Sequence, residues 1–172
     1  GDPLALSDTK LASMVEQLEE VPHLKRLRIH TRLPLVLPER INSELLSWLS
    51  QTRFQVVMVI HANHANELAD DVGQVLRSLS AINVQLLNQS VLLKGINDTV
   101  EDLVNLSERL IELGVLPYYL HLLDPVAGAA HFDVTEAQGI QLIKQLRQQL
   151  SGYLVPRLVR EQQGEASKTV IA

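Results

Sequence analysis

Four short apolar runs recur along the chain at a spacing of about thirty residues, the length of one strand–helix–strand unit. No other feature constrains the fold as much. The runs centre near Leu27, Val57, Leu86 and Leu120 and predict strands over 24–30, 54–60, 84–91 and 117–122. Helical periods lie between them. Leu11, Met14, Val15 and Leu18 share one face, as do Ile41, Leu45, Trp48 and Leu49. Leu68, Val72, Leu76 and Leu79 make the third face, Leu103, Leu106 and Leu110 the fourth, and Ile140, Ile143, Leu146 and Leu150 a fifth. Strands alternating with helices imply a parallel sheet with right-handed crossovers. An open doubly wound sheet and an arc of a (β/α) barrel both satisfy the pattern. No G-x-G-x-x-G follows a strand, which weakens the dinucleotide-binding version of the first. Four strands cannot close a barrel, so the second would be a partial barrel with an open sheet edge at the first strand.

The boundaries carry matching chemistry. Thr99 with Asp102 and Thr135 with Gln138 read as capping boxes. Gly114 and Gly152 follow helices where a left-handed residue is expected. Pro22 and Pro38 mark a helix end and a helix start. No low-complexity linker interrupts the chain, so one domain is expected, with a strand-like LVPRLV and a polar tail from Tyr153 onward. The opening Gly1-Asp2-Pro3-Leu4 lacks an initiator methionine and reads like the middle of a domain, the expectation being a piece of a longer protein.

Composition removes whole classes of function. No apolar run approaches the roughly 18 residues of a membrane span, so no membrane partner is expected. Fifteen Lys and Arg stand against twenty Asp and Glu, for a net charge of −5. With only six aromatic residues, that argues against a nucleic-acid partner. The absence of cysteine excludes disulfides, thiolate metal sites, a cysteine nucleophile and, within this chain, a cysteine-ligated iron–sulfur cluster. A cytoplasmic globular domain is the expectation.

Polar residues collect where each predicted strand ends, which in parallel α/β folds is the working face. His30-Thr31-Arg32 follow the first; His61, Asn63, His64, Asn66 and Glu67 the second; Asn88-Gln89-Ser90 the third. His121 and Asp124, then Gly128-Ala129-Ala130-His131, follow the fourth. Singly, each has an ordinary reading. His61 and His64 without a third ligand are a weak metal signal, and either can cap the next helix. Asn88-Gln89-Ser90 can be turn chemistry, and His30 can fill a packed layer. Together, four successive sets point to a pocket. The tail around Lys168 has two readings, a flexible terminus or an imine-forming amine.

Six blocks, in order, resemble the lysine 2,3-aminomutase family. They are Gly1-Asp2-Pro3-Leu4, LRIHTRLPLVLPERI (27–41), IHANHANEL (60–68), LLNQSVLLKGIND (86–98), PYYLHLLDPVAGAAHF (117–132) and SGYLVPRLVRE…GEASKT (151–169). Within the family the chain looks most similar to the branch that makes (R)-β-lysine for elongation factor P. The resemblance implies a partial (β/α) barrel of the radical S-adenosylmethionine type, here its last four β/α units over 1–152, with a strand and tail over 153–172. It implies an isomerase that exchanges the α-amino group of L-lysine with a β-hydrogen. The cofactors would be pyridoxal phosphate, S-adenosylmethionine and a [4Fe–4S] cluster.

Carried onto this sequence, Gly1, Asp2 and Pro3 would end the turn that meets the methionyl amine of S-adenosylmethionine. His61 and Gln89 would line the S-adenosylmethionine side of the pocket. Lys168 would be the catalytic residue that binds pyridoxal phosphate covalently. Asp124 and Glu161 would hold the ε-ammonium of substrate L-lysine; two carboxylates facing one cation offset its burial and discriminate against shorter amino acids. The pathway partners would be elongation factor P and its lysine ligase. The sequence departs from the clostridial-type pattern in having Glu161 seven residues before the lysine, and Gly164-Glu165-Ala166-Ser167 where that pattern is Gly-rich. It also lacks C-x-x-x-C-x-x-C, so the cluster cysteines would lie upstream of Gly1 and the chain alone would be inactive. A truncated or decayed, non-catalytic α/β domain that binds pyridoxal phosphate or another small molecule is the competing reading.

Overall fold

The computed structural model describes every residue except Gln163 and Ala166. In chain order the elements are α1 (Asp8–Glu19), β1 (Arg26–His30), α2 (Leu33–Val36), α3 (Ser43–Gln51), β2 (Gln55–Ile60), α4 (Asp70–Ala81), β3 (Gln85–Val91), α5 (Val100–Glu112), β4 (Val115–His121), α6 (Glu136–Gln149), β5 (Arg157–Arg160) and β6 (Thr169–Val170). The six strands are ordered β1 to β6 exactly as in the chain. Sequential order is that of a barrel arc, whereas a doubly wound sheet reverses at a switch point. The two readings left open by the sequence are thereby separated. None of the described helices is long and apolar enough to cross a membrane.

The described residues form two compact units. The first is Gly1–His61 with Ala69–Leu87 and Leu113–Val115. The second is Ala62–Leu68, Asn88–Glu112 and Leu116–Ala172.

In the first unit β1 and β2 are parallel, with Leu27 opposite Val56 and Ile29 opposite Met58. Thr31 N–H extends the ladder to the Val59 carbonyl at 3.0 Å. Val72, Leu76 and Leu79 bury the face of α4, as their spacing predicts. Of the four apolar residues of that face of α1, Leu11 and Val15 are buried, whereas Met14 is 51% and Leu18 38% exposed. The four-residue face expected there narrows to an i, i+4 stripe.

Two polar clasps hold this unit. Arg53 donates to the carbonyls of Glu19, the last residue of α1, and of Val21 and Leu24 in the turn that follows. Glu19 in turn accepts from the Thr52 hydroxyl and the Arg53 N–H, which holds its carboxyl below the usual range. Arg40 forms a two-pronged pair with Asp8 at 2.9 and 3.0 Å, and Asn42 and Trp48 donate to the same carboxylate. Burial pushes the Asp8 carboxyl up, but these donors and the guanidinium charge outweigh it and its pKa lies below the ordinary value. Pro38 opens a separate turn, Pro38–Arg40, and α3 begins only at Ser43, where Asn42 Oδ1 accepts the Leu45 N–H at 2.9 Å.

In the second unit β4 and β5 are parallel, and β5 and β6 antiparallel. The core joins Leu103 of α5, Leu120 of β4, Ile143 and Leu146 of α6 and Leu158 of β5, with Ile171 and Ala172 packed against it. Gly139 lets α6 approach: a Cβ there would lie 3.0 Å from Leu158 and 3.3 Å from Leu122. The box of Thr135 and Gln138 caps α6 as expected, and the Thr99 hydroxyl accepts the Asp102 N–H at 3.1 Å.

Two expectations at helix ends diverge. Gly114, in the first unit, takes a left-handed φ of 75°. Gly152 does not; α6 ends on the extended residue Leu150 and Gly152 begins a 3-10 turn. The tail is not merely flexible either, because the Leu158 N–H donates to the Ala172 carbonyl at 2.9 Å and the Ile171 N–H returns to Leu158 at 2.8 Å.

Candidate functional site

In the second unit the ladder between β5 and β6 pairs Val159 with Val170 and Arg160 with Thr169. One further step in that register sets Glu161 opposite Lys168. The seven-residue separation of these two is therefore a cross-strand relationship at the mouth of a hairpin. Their side chains meet there: Lys168 Nζ lies 2.7 Å from Glu161 Oε1. The hydrogen bond and positive charge of Lys168 hold the Glu161 carboxyl below the usual range, against a smaller opposing effect of burial.

β4 supplies the other wall. The register opposes Tyr119 to Arg157 and His121 to Val159. His121 Nε2 is 3.2 Å from Lys168 Nζ. The Tyr119 ring lies 5.4 Å from the same nitrogen and edge-on to the imidazole at 5.8 Å. The Tyr118 hydroxyl donates to that of Tyr119 at 2.9 Å. Lys168 thus sits among a carboxylate, an imidazole and an aromatic face, half-buried beside an open hollow lined by Glu161, Gln162, Glu165 and Ser167.

The other predicted residues fall as follows. Asp124 is exposed, three residues beyond the end of β4, and no hydrogen bond or ion pair joins it to Glu161 or Lys168. Gln89 lies within β3 and is half-buried; its neighbours Asn88 and Ser90 are buried. Asn88 pairs with the backbone of Ala62, and Ser90 donates to the same carbonyl. These two are latches. His64 accepts the Asn66 N–H at Nδ1 and forms a capping box with Glu67. It too is a cap, and among the described residues no group of three His, Cys, Asp or Glu could hold a metal ion.

His61 and the Gly1-Asp2-Pro3 turn belong to the first unit. His61 follows β2 directly and is half-buried. The Asp2 carboxylate accepts from Leu4 N–H, the Thr31 hydroxyl and Arg32 N–H at 2.7–3.0 Å. Its oxygens are committed to holding the turn at the end of β1. Ala166, quoted in the tail motif, lies outside the described residues.

Tyr119 is the site residue that the sequence reading missed. It stands two positions before His121, so strand alternation was the signal that could have found it. An amine within hydrogen-bond reach of a carboxylate and an imidazole, on an open face, fits a lysine that captures an aldehyde cofactor. The donor set does not fit an iron–sulfur cluster, because the chain has no thiolate.

No family model matches the chain. It is 52% identical over 172 residues to an L-lysine 2,3-aminomutase of Haemophilus influenzae, matching all of this chain and 51% of that protein. It is 49% identical to that of Escherichia coli, over 98% of this chain and 49% of the relative, and 38% identical to that of Clostridium subterminale, over 99% and 41%. The chain thus spans about half the length of the curated relatives it matches. Two solved structures share the fold. A radical SAM methyltransferase from Sphaerobacter thermophilus superposes with a TM-score of 0.57 at 17% identity, covering 78% of this chain and 40% of that one. A domain of a pyruvate-formate lyase-activating enzyme from Bacteroides vulgatus does so with 0.61 at 13%, covering 94% and 96%. The fold is thus the partial (β/α) barrel type of radical SAM proteins, and by identity along its whole length the chain belongs to the lysine 2,3-aminomutase family.

Proposed function

We propose that these residues serve the conversion of L-lysine to (R)-β-lysine, with Lys168 as the pyridoxal phosphate lysine. The observation that carries this reading is the seating of Lys168 Nζ between Glu161 and His121 in a chain whose relatives bear the name L-lysine 2,3-aminomutase. Pyridoxal phosphate, when bound, supplies an aldehyde that takes up an amine and a ring that delocalises electrons. Lys168 presents the amine. Glu161 holds an alkylammonium group, and the ε-ammonium of substrate L-lysine is chemically the same group as its present partner. Asp124, exposed on the segment after β4, is the second carboxylate proposed for that end of the substrate. Segment 153–172 carries the cofactor lysine.

Gly1–Pro3, His61 and Gln89 are proposed for S-adenosylmethionine. The cluster that cleaves it reductively needs thiolates that these 172 residues do not contain. We therefore propose that the chain alone forms no β-lysine, even with iron, sulfide, S-adenosylmethionine and reductant supplied. The family branch suggested by the sequence blocks points to elongation factor P, through its lysine ligase, as the destination of the β-lysine, and to the cytoplasm as the setting.

The missing thiolates equally favour a second reading, a non-catalytic domain that binds pyridoxal phosphate. Borohydride reduction in the presence of pyridoxal phosphate, followed by peptide mapping, tests the element common to both: the label is expected on Lys168. A label on Lys94 or Lys144 instead defeats both. Turnover separates them. In a longer chain carrying a three-cysteine motif ahead of these residues, L-lysine conversion that is lost in Lys168→Ala and kept in Lys94→Ala supports the aminomutase. Absence of conversion in that chain supports the binding domain.

A further inference from the structure

Lys168 Nζ has a second polar neighbour besides Glu161. An ammonium has no lone pair to offer an aldehyde carbon, so a proton must leave Nζ before the amine can react. Of the two neighbours, the Glu161 carboxylate is the poorer acceptor for that proton, since its carboxyl is held below the usual range by Lys168 itself. An imidazole takes up and releases protons near neutrality, where a relay is most effective.

We propose that His121 is the proton relay of Lys168, a positioning residue whose Nε2 receives a proton from Nζ and returns it as the amine condenses with the cofactor aldehyde. This rests on the reading of Lys168 as the cofactor lysine. The placement is built from strands. The His121 carbonyl accepts the Leu92 N–H at 2.8 Å, and the next residue, Leu122, donates to the Val159 carbonyl at 2.9 Å. The backbone of His121 is thereby pinned on both sides, and Tyr119 packs edge-on against its ring. Lys168 is fixed by the β5–β6 register. The relay requires Nε2, 3.2 Å from Nζ, to accept from the amine, and so requires the ring proton on Nδ1.

The proton balance closes. One proton passes from Nζ to Nε2, and the freed lone pair bonds to the aldehyde carbon while the carbonyl π pair moves to oxygen. The oxygen takes the proton back from the imidazolium and a second from the nitrogen, and departs as water. Ammonium and aldehyde become a protonated C=N link and water, and nothing is oxidised or reduced.

The test is timed borohydride trapping of the 172-residue chain with pyridoxal phosphate at one pH, with mass-spectrometric labelling of Lys168 ratioed to the exposed Lys94. His121→Gln keeps an acceptor toward Nζ but carries no proton near neutrality. It is expected to lower that ratio about 100-fold, the lower end of what a positioned acid or base contributes. His121→Ala is expected to fall similarly and to recover with added imidazole, which a purely structural role would not produce. In the unsubstituted chain, nitrogen NMR is expected to find the His121 proton on Nδ1. An unchanged ratio in His121→Gln, no recovery with imidazole, or a proton on Nε2 each overturns the relay while leaving Lys168 as the cofactor lysine. Labelling of Lys94 or Lys144 in place of Lys168 overturns the cofactor reading itself, and the relay with it.

Discussion

Asn88 satisfies both backbone groups of Ala62: its Oδ1 accepts the N–H at 2.8 Å and its Nδ2 donates to the carbonyl at 3.0 Å. The side chain gives Ala62, two residues beyond β2, the donor and acceptor that a neighbouring strand would supply, and Asn88 is only 1% exposed. Asn88→Ala would strand the Ala62 N–H, an unmade buried hydrogen bond that costs about 1–3 kcal/mol. Gln89→Ala is expected to change stability by less than about 0.5 kcal/mol. Urea midpoints of the two variants check the contrast, and equal loss in both would refute it.

Asp8 and Arg40 make the first unit acid-sensitive. The folded pKa of Asp8 is depressed, so its contribution is present above the unfolded value of 3.8 and is lost as pH falls through the lower folded value. Arg40→Ala leaves a buried carboxylate with weaker support and is expected to cost about 3 kcal/mol at neutral pH. Asp8→Asn is expected to flatten the stability profile below pH ~4. Denaturation at a series of pH values reads both, and an unaltered acid limb in Asp8→Asn would count against the assignment.

The Lys168–Glu161 pair follows the same sign. Glu161 is held below its ordinary 4.5, so the pair survives acidification to that point and dissolves as pH falls through the depressed value. Carbon NMR of the Glu161 carboxyl is expected to show this low titration, and Lys168→Met is expected to return it to the ordinary range. A carboxyl that titrates identically in both proteins would show that the contact does not persist in solution.

The hairpin itself can be cut. Ending the chain at Lys168 removes β6 and leaves the Leu158 N–H and carbonyl without the Ala172 and Ile171 partners. Lys168 should then lose its place beside His121, and its labelling by pyridoxal phosphate should fall to the rate of Lys94. Undiminished labelling in the truncated chain would mean that β6 does not position the amine.

The five long helices were legible because each buries one face and burial imprints a period, and the four main strands because they read as short apolar runs about thirty residues apart. What escaped was set by neighbours. Met14 and Leu18 have the spacing of a core face, yet of its apolar face α1 buries only Leu11 and Val15. Gly152 looked like a helix cap, but Leu150 ends α6 in extended geometry. The seven-residue separation of Glu161 and Lys168 was visible as a number, while its meaning depended on β6, two residues long and invisible to periodicity. His121 was singled out as a strand-end polar residue; its contact with Lys168, the residue before β6, could not be read from the sequence.

Because Glu161 and Lys168 face each other only through strand register, the segment 162–167 acts as a ruler. What the pairing depends on is the number of residues between the two. Moving the register by one residue would swing Lys168 to the opposite face of the sheet, away from both Glu161 and His121. In this hairpin, length is the chemical variable.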